Sequence, residues 1–333
     1  MARIFIVLLA SIWLVAAAAP PAIIDLTSDY ARIYEATRDV PKAERVARFK
    51  AEMARRIPGF YEAKRRGWSD AEYDDLVDRS FARFPAIEVA FKARAAAVAG
   101  QLAGAQADFI RTFPDIGALP PTYLLHSLGE MDGGTRDLGG RTVLVFGADQ
   151  IAKIHRADAD ERPFFEHELF HVYHEARFKG CKGLWCSLWE EGFATYVAAT
   201  LNPAAKPDEL LMPAADLAAI KADPVAAACA VLANFGSTKE SDYRPLFTGG
   251  SHLPGLPERA GYFLGFLVMQ QLAAGREIVA MAQWSPPKAK PLVRATLERM
   301  AGTCGPRQSR VLRRTSSDAV ASASPAGAER VRS

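Results

Sequence analysis

Residues 164–180 read FFEHELFHVYHEARFKG, and within them His167, Glu168 and His171 stand at the spacing H-E-x-x-H. In an α-helix four residues advance about 400°, so His167 and His171 share one face, a turn apart. Two imidazoles so placed can hold one Zn²⁺ at about 2.0–2.1 Å from each nitrogen. Glu168 is rotated by about 100° from His167. It would stand beside such an ion rather than on it, where it could take the proton of an attacking water. The bland reading of the same stretch is an amphipathic helix that carries three histidines.

A third ligand separates the two readings. The pattern H-E-x-x-H-x-x-G-x-x-H fails, because His174 and Arg177 occupy its Gly and last His positions. A glutamate from a following helix is the other source, and LWEEGFATYVAATL at 188–201 offers Glu190 and Glu191. Both precede Gly192, where a small residue would let this helix approach the first. Successive residues point about 100° apart, so only one of the two should face the ion. Hydrolysis of an amide also needs a donor for the oxygen that gains charge. Tyr262, at a predicted helix start, is the candidate, with Tyr243 and His252 as rivals and a core aromatic as the plain alternative. His155 and His174 read as surface histidines or as props behind the ligands, and His126 falls in a predicted strand.

The elements that must position these groups are mostly helical. Residues 25–112 show apolar positions at three- and four-residue steps, with a capping box at Ser69–Glu72 and punctuation at Pro41, Pro58 and Pro85. Residues 123–128 and 142–146 read as two short strands joined by a Gly-rich connection. No G-K-[ST] follows those glycines, so they do not make a phosphate loop. Helices are then expected over 163–178, ended by Gly180, and over 188–201, stopped by Asn202-Pro203. An Ala-rich helix at 208–233, a loop-rich insert at 236–261, and helices at 262–274 and 290–300 complete the body.

The first residues, MARIFIVLLASIWLVAAAA, have a positive start, a short apolar run and a small-x-small site, the pattern of a secretory signal over 1–18. Its run is short for a span of about 20 residues, so no stable membrane span is expected after removal. The 333-residue chain is 50% apolar and carries a formal charge of +3. The segment from Gly305 holds six Arg against two acids, so it alone carries +4, and Arg3 belongs to the signal. The body is therefore slightly acidic, which speaks against a nucleic-acid partner. Residues 306–333, rich in Ser, Ala and Arg, read as a disordered basic tail. In an oxidising compartment the four cysteines would pair Cys181 with Cys186 and Cys229 with Cys304.

HELFH followed by WEEGFATY resembles the gluzincin group of zinc peptidases, and the E-G-F-A segment is similar to that of the zinc aminopeptidases. There the ligand is the glutamate just before the glycine, which maps onto Glu191. The separation from the second histidine is one residue longer here, which keeps Glu190 in play. From MDGGTR to GYFLGF the chain also resembles a bacterial family of predicted Zn-dependent proteases of unknown function. Two departures stand out. Thr195 occupies the place where many gluzincins have an Asp that orients the first histidine, and no G-x-M-E-N-type substrate motif is present. The resemblance implies an α+β, mainly α fold. A zincin-like metallopeptidase domain over 117–305, with a small sheet packed on the H-E-x-x-H helix, would follow a helical region over 19–116. It implies one Zn²⁺ per chain on His167, His171 and Glu191, with Glu168 and Tyr262 catalytic. The substrate would be a peptide or protein, met in the periplasm or outside the cell. A catalytically weak zinc protein of the cell envelope and a metal-free helical binding protein are the competing expectations.

Overall fold

The computed structural model describes residues 22–304; the expected signal over 1–18 and the expected basic tail over 306–333 lie outside them. A short strand, β1 (Ile23–Asp25), opens the described chain. Asp25 accepts a hydrogen bond from the backbone N–H of Thr27 at 2.8 Å and so starts α1 (Thr27–Thr37). After α2 (Lys42–Arg56), Ser69 and Glu72 close the expected capping box at the head of α3 (Asp70–Thr112), which is 43 residues long. Pro85 was expected to punctuate this stretch, yet α3 runs through it. An interior proline costs roughly 3 kcal/mol. Phe81, Phe84 and Phe91 are all buried on either side of it, and each such burial returns roughly 1.5–3 kcal/mol.

The sheet has four strands in the order β1-β2-β4-β3. β2 (Thr122–Leu125) lies parallel to β1 and to β4 (Thr142–Gly147). β3 (Gly133–Asp137) pairs antiparallel with β4, setting Thr135 opposite Leu144. The two expected strands are present, but their connection is itself the edge strand and not a loop. Its glycines hid it, since GGTRD has little intrinsic strand preference; pairing with the apolar β4 makes it a strand. Through β1, the first part of the chain enters the same sheet as the site-bearing part, and one cluster of buried residues runs from Leu26 to Ala301.

Beyond the sheet come α4 (Ala148–Ile154), α5 (Arg162–Glu175) and α6 (Leu184–Leu201). The stretch expected as one Ala-rich helix is split into α7 (Ala214–Ala222) and α8 (Val225–Ala233) by Pro224, and the expected loop-rich insert contains α9 (Glu240–Phe247). α10 (Ala260–Ala273), α11 (Ile278–Ala282) and α12 (Pro286–Ala301) complete the body. Disulfides join Cys181 to Cys186 and Cys229 to Cys304. Among the described residues no helix is long and apolar enough to cross a membrane.

Gly192 works differently from expectation. It faces α10 and not α5: a Cβ there would lie 2.4 Å from the carbonyl carbon of Gly265, and one on Gly265 would lie 2.6 Å from the Leu188 oxygen. Glu191 and Gly192 point about 100° apart, so α6 turns the first to α5 and the second to α10. Gly265→Ala therefore has no room without separating the two backbones. It should destabilise the fold by about 3 kcal/mol, the upper part of the overpacking range. Denaturant unfolding measures this; an unchanged midpoint would show that the helices are not in contact at this crossing.

Candidate metal centre

α5 carries His167, Glu168 and His171 on the side toward α6 and β3, and its other side is core: Phe165, Leu169, Phe170 and Tyr173 are fully buried. The Nε2 atoms of His167 and His171 are 3.0 Å apart. From α6, Glu191 brings Oε2 to 3.3 Å from His167 Nε2 and 3.4 Å from His171 Nε2. Three donors at 2.0–2.1 Å from one tetrahedral ion stand about 3.3–3.4 Å from each other. The observed triangle has that size, so these three side chains can hold a metal ion, and among the described residues no other such group is found. Glu190 makes no ion pair with either imidazole and lines an adjoining groove with Lys182, Ser187 and Lys239. The structure thus brings Glu191, and not Glu190, to the histidines.

Electrostatics follow from crowding. Burial opposes the Glu191 charge, but the two imidazoles outweigh it and hold its carboxyl well below the usual range. Burial lowers His167, whereas at His171 the Glu191 charge outweighs burial. Thr195 lies one turn after Glu191. Its hydroxyl donates to the Glu191 carbonyl at 2.8 Å and faces His167 Nδ1 at 3.4 Å. With its proton committed, Thr195 can only accept from Nδ1–H. That favours the tautomer whose Nε2 lone pair points at the other two donors. Behind the pair, Asn202 at the end of α6 donates to buried Glu166 on α5 and fastens the two helices together.

Glu168 stands beside the triangle under β3. A Cβ on Gly133 would meet Phe164 Cζ at 2.5 Å and Glu168 Cγ at 3.1 Å, so only glycine lets the strand lie this close to α5. Burial, reinforced by Asp132 and Glu191, pushes the Glu168 carboxyl up to about 7. Tyr262 on α10 reaches the same cleft, its ring 6.4 Å from that of His167. Burial and the Glu191 charge raise its hydroxyl far above the ordinary value, so it remains a donor. Tyr243 lines the cleft as well, whereas His252 is exposed and does not. The cleft, of about 260 Å³, also contains Asp132, Arg136 and Arg259, to which the sequence assigned no role. Arg259 precedes α10 in left-handed backbone, so no helical spacing announced its place over Tyr262.

Two histidines expected at the surface or behind the ligands are buried. His174 lies between the rings of Phe170 and Phe178, and its Nε2 accepts from the Trp189 indole at 3.2 Å. Burial drives its pKa down to about 3, so it is a neutral core residue away from the ligands. His155 Nδ1 is 2.6 Å from Glu161, which Arg94 of α3 clamps from the other side, and His155 Nε2 is 3.5 Å from Asp132. His126 is buried as well, stacked on Tyr30 at 3.9 Å. Pattern alone could not bury these residues, because their partners come from distant elements.

Two outcomes follow. Thr195→Val keeps the shape and removes the acceptor behind His167, and should weaken metal binding about tenfold, as read by competition with a chromogenic chelator; unchanged affinity would remove Thr195 from the site. For His155, burial disfavours the charge, but Asp132 and Glu161 outweigh it and hold the pKa at about 9, against about 6.5 in an unfolded chain. A raised folded-state pKa means that the stabilisation is complete below pH about 6.5 and is lost as pH rises through 9. The loss is about 3 kcal/mol. Denaturation midpoints taken across that window should fall for the parent and stay flatter for His155→Gln; parallel curves would refute the assignment.

No family model, curated protein or solved structure matches the chain.

Proposed function

We propose that the protein is a secreted or periplasmic zinc peptidase of the gluzincin type, with a zincin-like arrangement of β3, α5 and α6. The observation that carries this reading is the triangle of His167 Nε2, His171 Nε2 and Glu191 Oε2, with edges of 3.0, 3.3 and 3.4 Å. Two imidazoles and one carboxylate form a donor set that suits zinc and leaves a fourth position open. Zinc at this position would supply Lewis acidity toward a carbonyl and a water.

The protein's own groups do the rest. Glu168 makes no hydrogen bond or ion pair among the described residues, so both its oxygens are available to the cleft. One takes the proton of the attacking water and returns it to the leaving amine nitrogen. Tyr262 offers its hydroxyl proton to the carbonyl oxygen as negative charge develops there. The outer edge of β3 borders the cleft, so an extended substrate can add to it through main-chain hydrogen bonds. The two disulfides fit an oxidising compartment.

Protein purified without chelator should contain about one equivalent of zinc, and His171→Ala should lose it. Glu168→Gln should keep the zinc and lose at least about 100-fold in peptide hydrolysis, measured on a mixed peptide library by mass spectrometry. Absence of metal from the parent would favour a metal-free helical binding protein. Zinc without cleavage of any library member would favour a cell-envelope zinc protein without peptidase activity.

A further inference from the structure

Arg259 has no role in the chemistry just described, yet the fold strains to place it. Three non-glycine residues among those described have left-handed backbone, and two of them, Leu211 (φ 54°) and Arg259 (φ 56°), line the catalytic cleft. Non-glycine residues hold that conformation only where their surroundings impose it, and such positions cluster at functional sites. Here the strain turns the chain into α10 and brings the Arg259 side chain back over Tyr262, with the guanidinium 4.2 Å from the ring centroid. The guanidinium also hydrogen-bonds the Tyr262 hydroxyl, which takes up one of its five N–H donors and leaves the others available.

The other arginines around this wall are matched. Arg136 donates to Glu130 at 2.9 Å, and Arg94 is paired with Glu161. Arg259 is not: among the described residues no carboxylate oxygen lies within 4 Å of its guanidinium, and Asp132 and Glu191 act on it only from farther away. A partly buried cation that faces a cleft with only a neutral hydroxyl as its direct partner, and whose planar edge suits a carboxylate, is a receptor for one.

We propose that Arg259 selects the substrate by seating a carboxylate, either a peptide C terminus or an acidic side chain, next to the bond to be cut. This rests on the peptidase reading above. Bidentate contact with a carboxylate should favour the charged ligand over its amide by about ten- to a hundredfold. The direct contact has to overcome repulsion from Asp132 and Glu191, so a cation at longer range would not suffice.

Two measurements on the zinc-loaded protein test this. In the first, N-acetylphenylalanine and its amide are titrated calorimetrically into the parent, Arg259→Lys and Arg259→Met; both substitutions meet the same backbone strain as arginine, and circular dichroism with zinc content confirms that each is folded. The parent should prefer the acid at least about tenfold, lysine should keep part of that preference, and methionine should lose it. Equal binding of acid and amide by the parent, or a preference that survives Arg259→Met and so belongs to the metal, would overturn the proposal. In the second, one peptide is offered with a free C terminus, with an amidated C terminus, and with an internal Asp or Asn at successive positions. A preference confined to the free terminus or to the Asp series identifies the source of the carboxylate, and it should appear in KM and vanish in Arg259→Met. A uniform fall of kcat on every peptide would instead make Arg259 a stabiliser of the transition state and defeat the substrate-selecting role. If nothing is cleaved the peptidase reading fails, while the calorimetric arm still decides whether Arg259 receives a carboxylate.

Discussion

Two imidazole nitrogens and a carboxylate oxygen held within 3.4 Å of one another form an arrangement that no surface would keep by itself. Each group loses hydration on approach, and the two nitrogens present lone pairs or protons to each other. The crossing of α5 and α6 enforces it. α5 is fixed on the core side by Phe165, Leu169, Phe170 and Tyr173. α6 is pressed forward from behind, where Gly192 and Gly265 bring the α6 and α10 backbones into direct contact. A side chain at either glycine would draw α6, and Glu191 with it, off the histidines. The site therefore depends on a contact on the far face of the helix that carries its third donor.

The same logic sets the wall opposite. Gly133 is the place where β3 and α5 touch, and the space that its missing side chain leaves is filled by Phe164 and Glu168. The Glu168 carboxylate is thereby put under an edge strand whose outer backbone is unpaired in the sheet. Behind β3, Asp132 is tied through His155 and Glu161 to Arg94 on α3. Two acids alternate with two bases in that chain, so its buried charges compensate one another. It connects the longest helix to the rim of the cleft, which explains why a helical N-terminal part without chemistry of its own belongs to the same core.

How much of this could be read from residues alone depended on whether the signal was local. H-E-x-x-H was legible because helical periodicity by itself puts both imidazoles on one face, and the pairings of Cys181 with Cys186 and of Cys229 with Cys304 were legible from nearness and remainder. The choice between Glu190 and Glu191 was not decided by the residues, because which face of α6 looks at α5 is set by α10, some 70 residues on. β3 was illegible for a similar reason: two glycines, Thr, Arg and Asp become a strand only when Val143 to Phe146 pair with them. Pro85 misled in the opposite direction, since a strong local rule was overridden by aromatic burial on both sides. His155 and His174 carried no periodic signal, and their burial is decided by Glu161, Trp189 and two phenylalanines.

The two disulfides act on this frame in different ways. The bridge between Cys229 and Cys304 spans 75 residues and ties α8 to the residues just after α12, so in the chain-entropy picture it restricts the unfolded chain by about 4 kcal/mol. The bridge between Cys181 and Cys186 spans only 5 residues and restricts far less of the unfolded chain. Its value is positional. It lies in the turn between the helix that supplies two donors and the helix that supplies the third, and Cys186 is five residues before Glu191 on the same α6. A stiff turn limits how far α6 can rotate about its own axis, and rotation by about 100° would exchange Glu191 for Glu190 at the histidines. The longer bridge therefore bears on stability, and the shorter one stiffens the turn that leads into α6, whose facing is set by its close contact with α10.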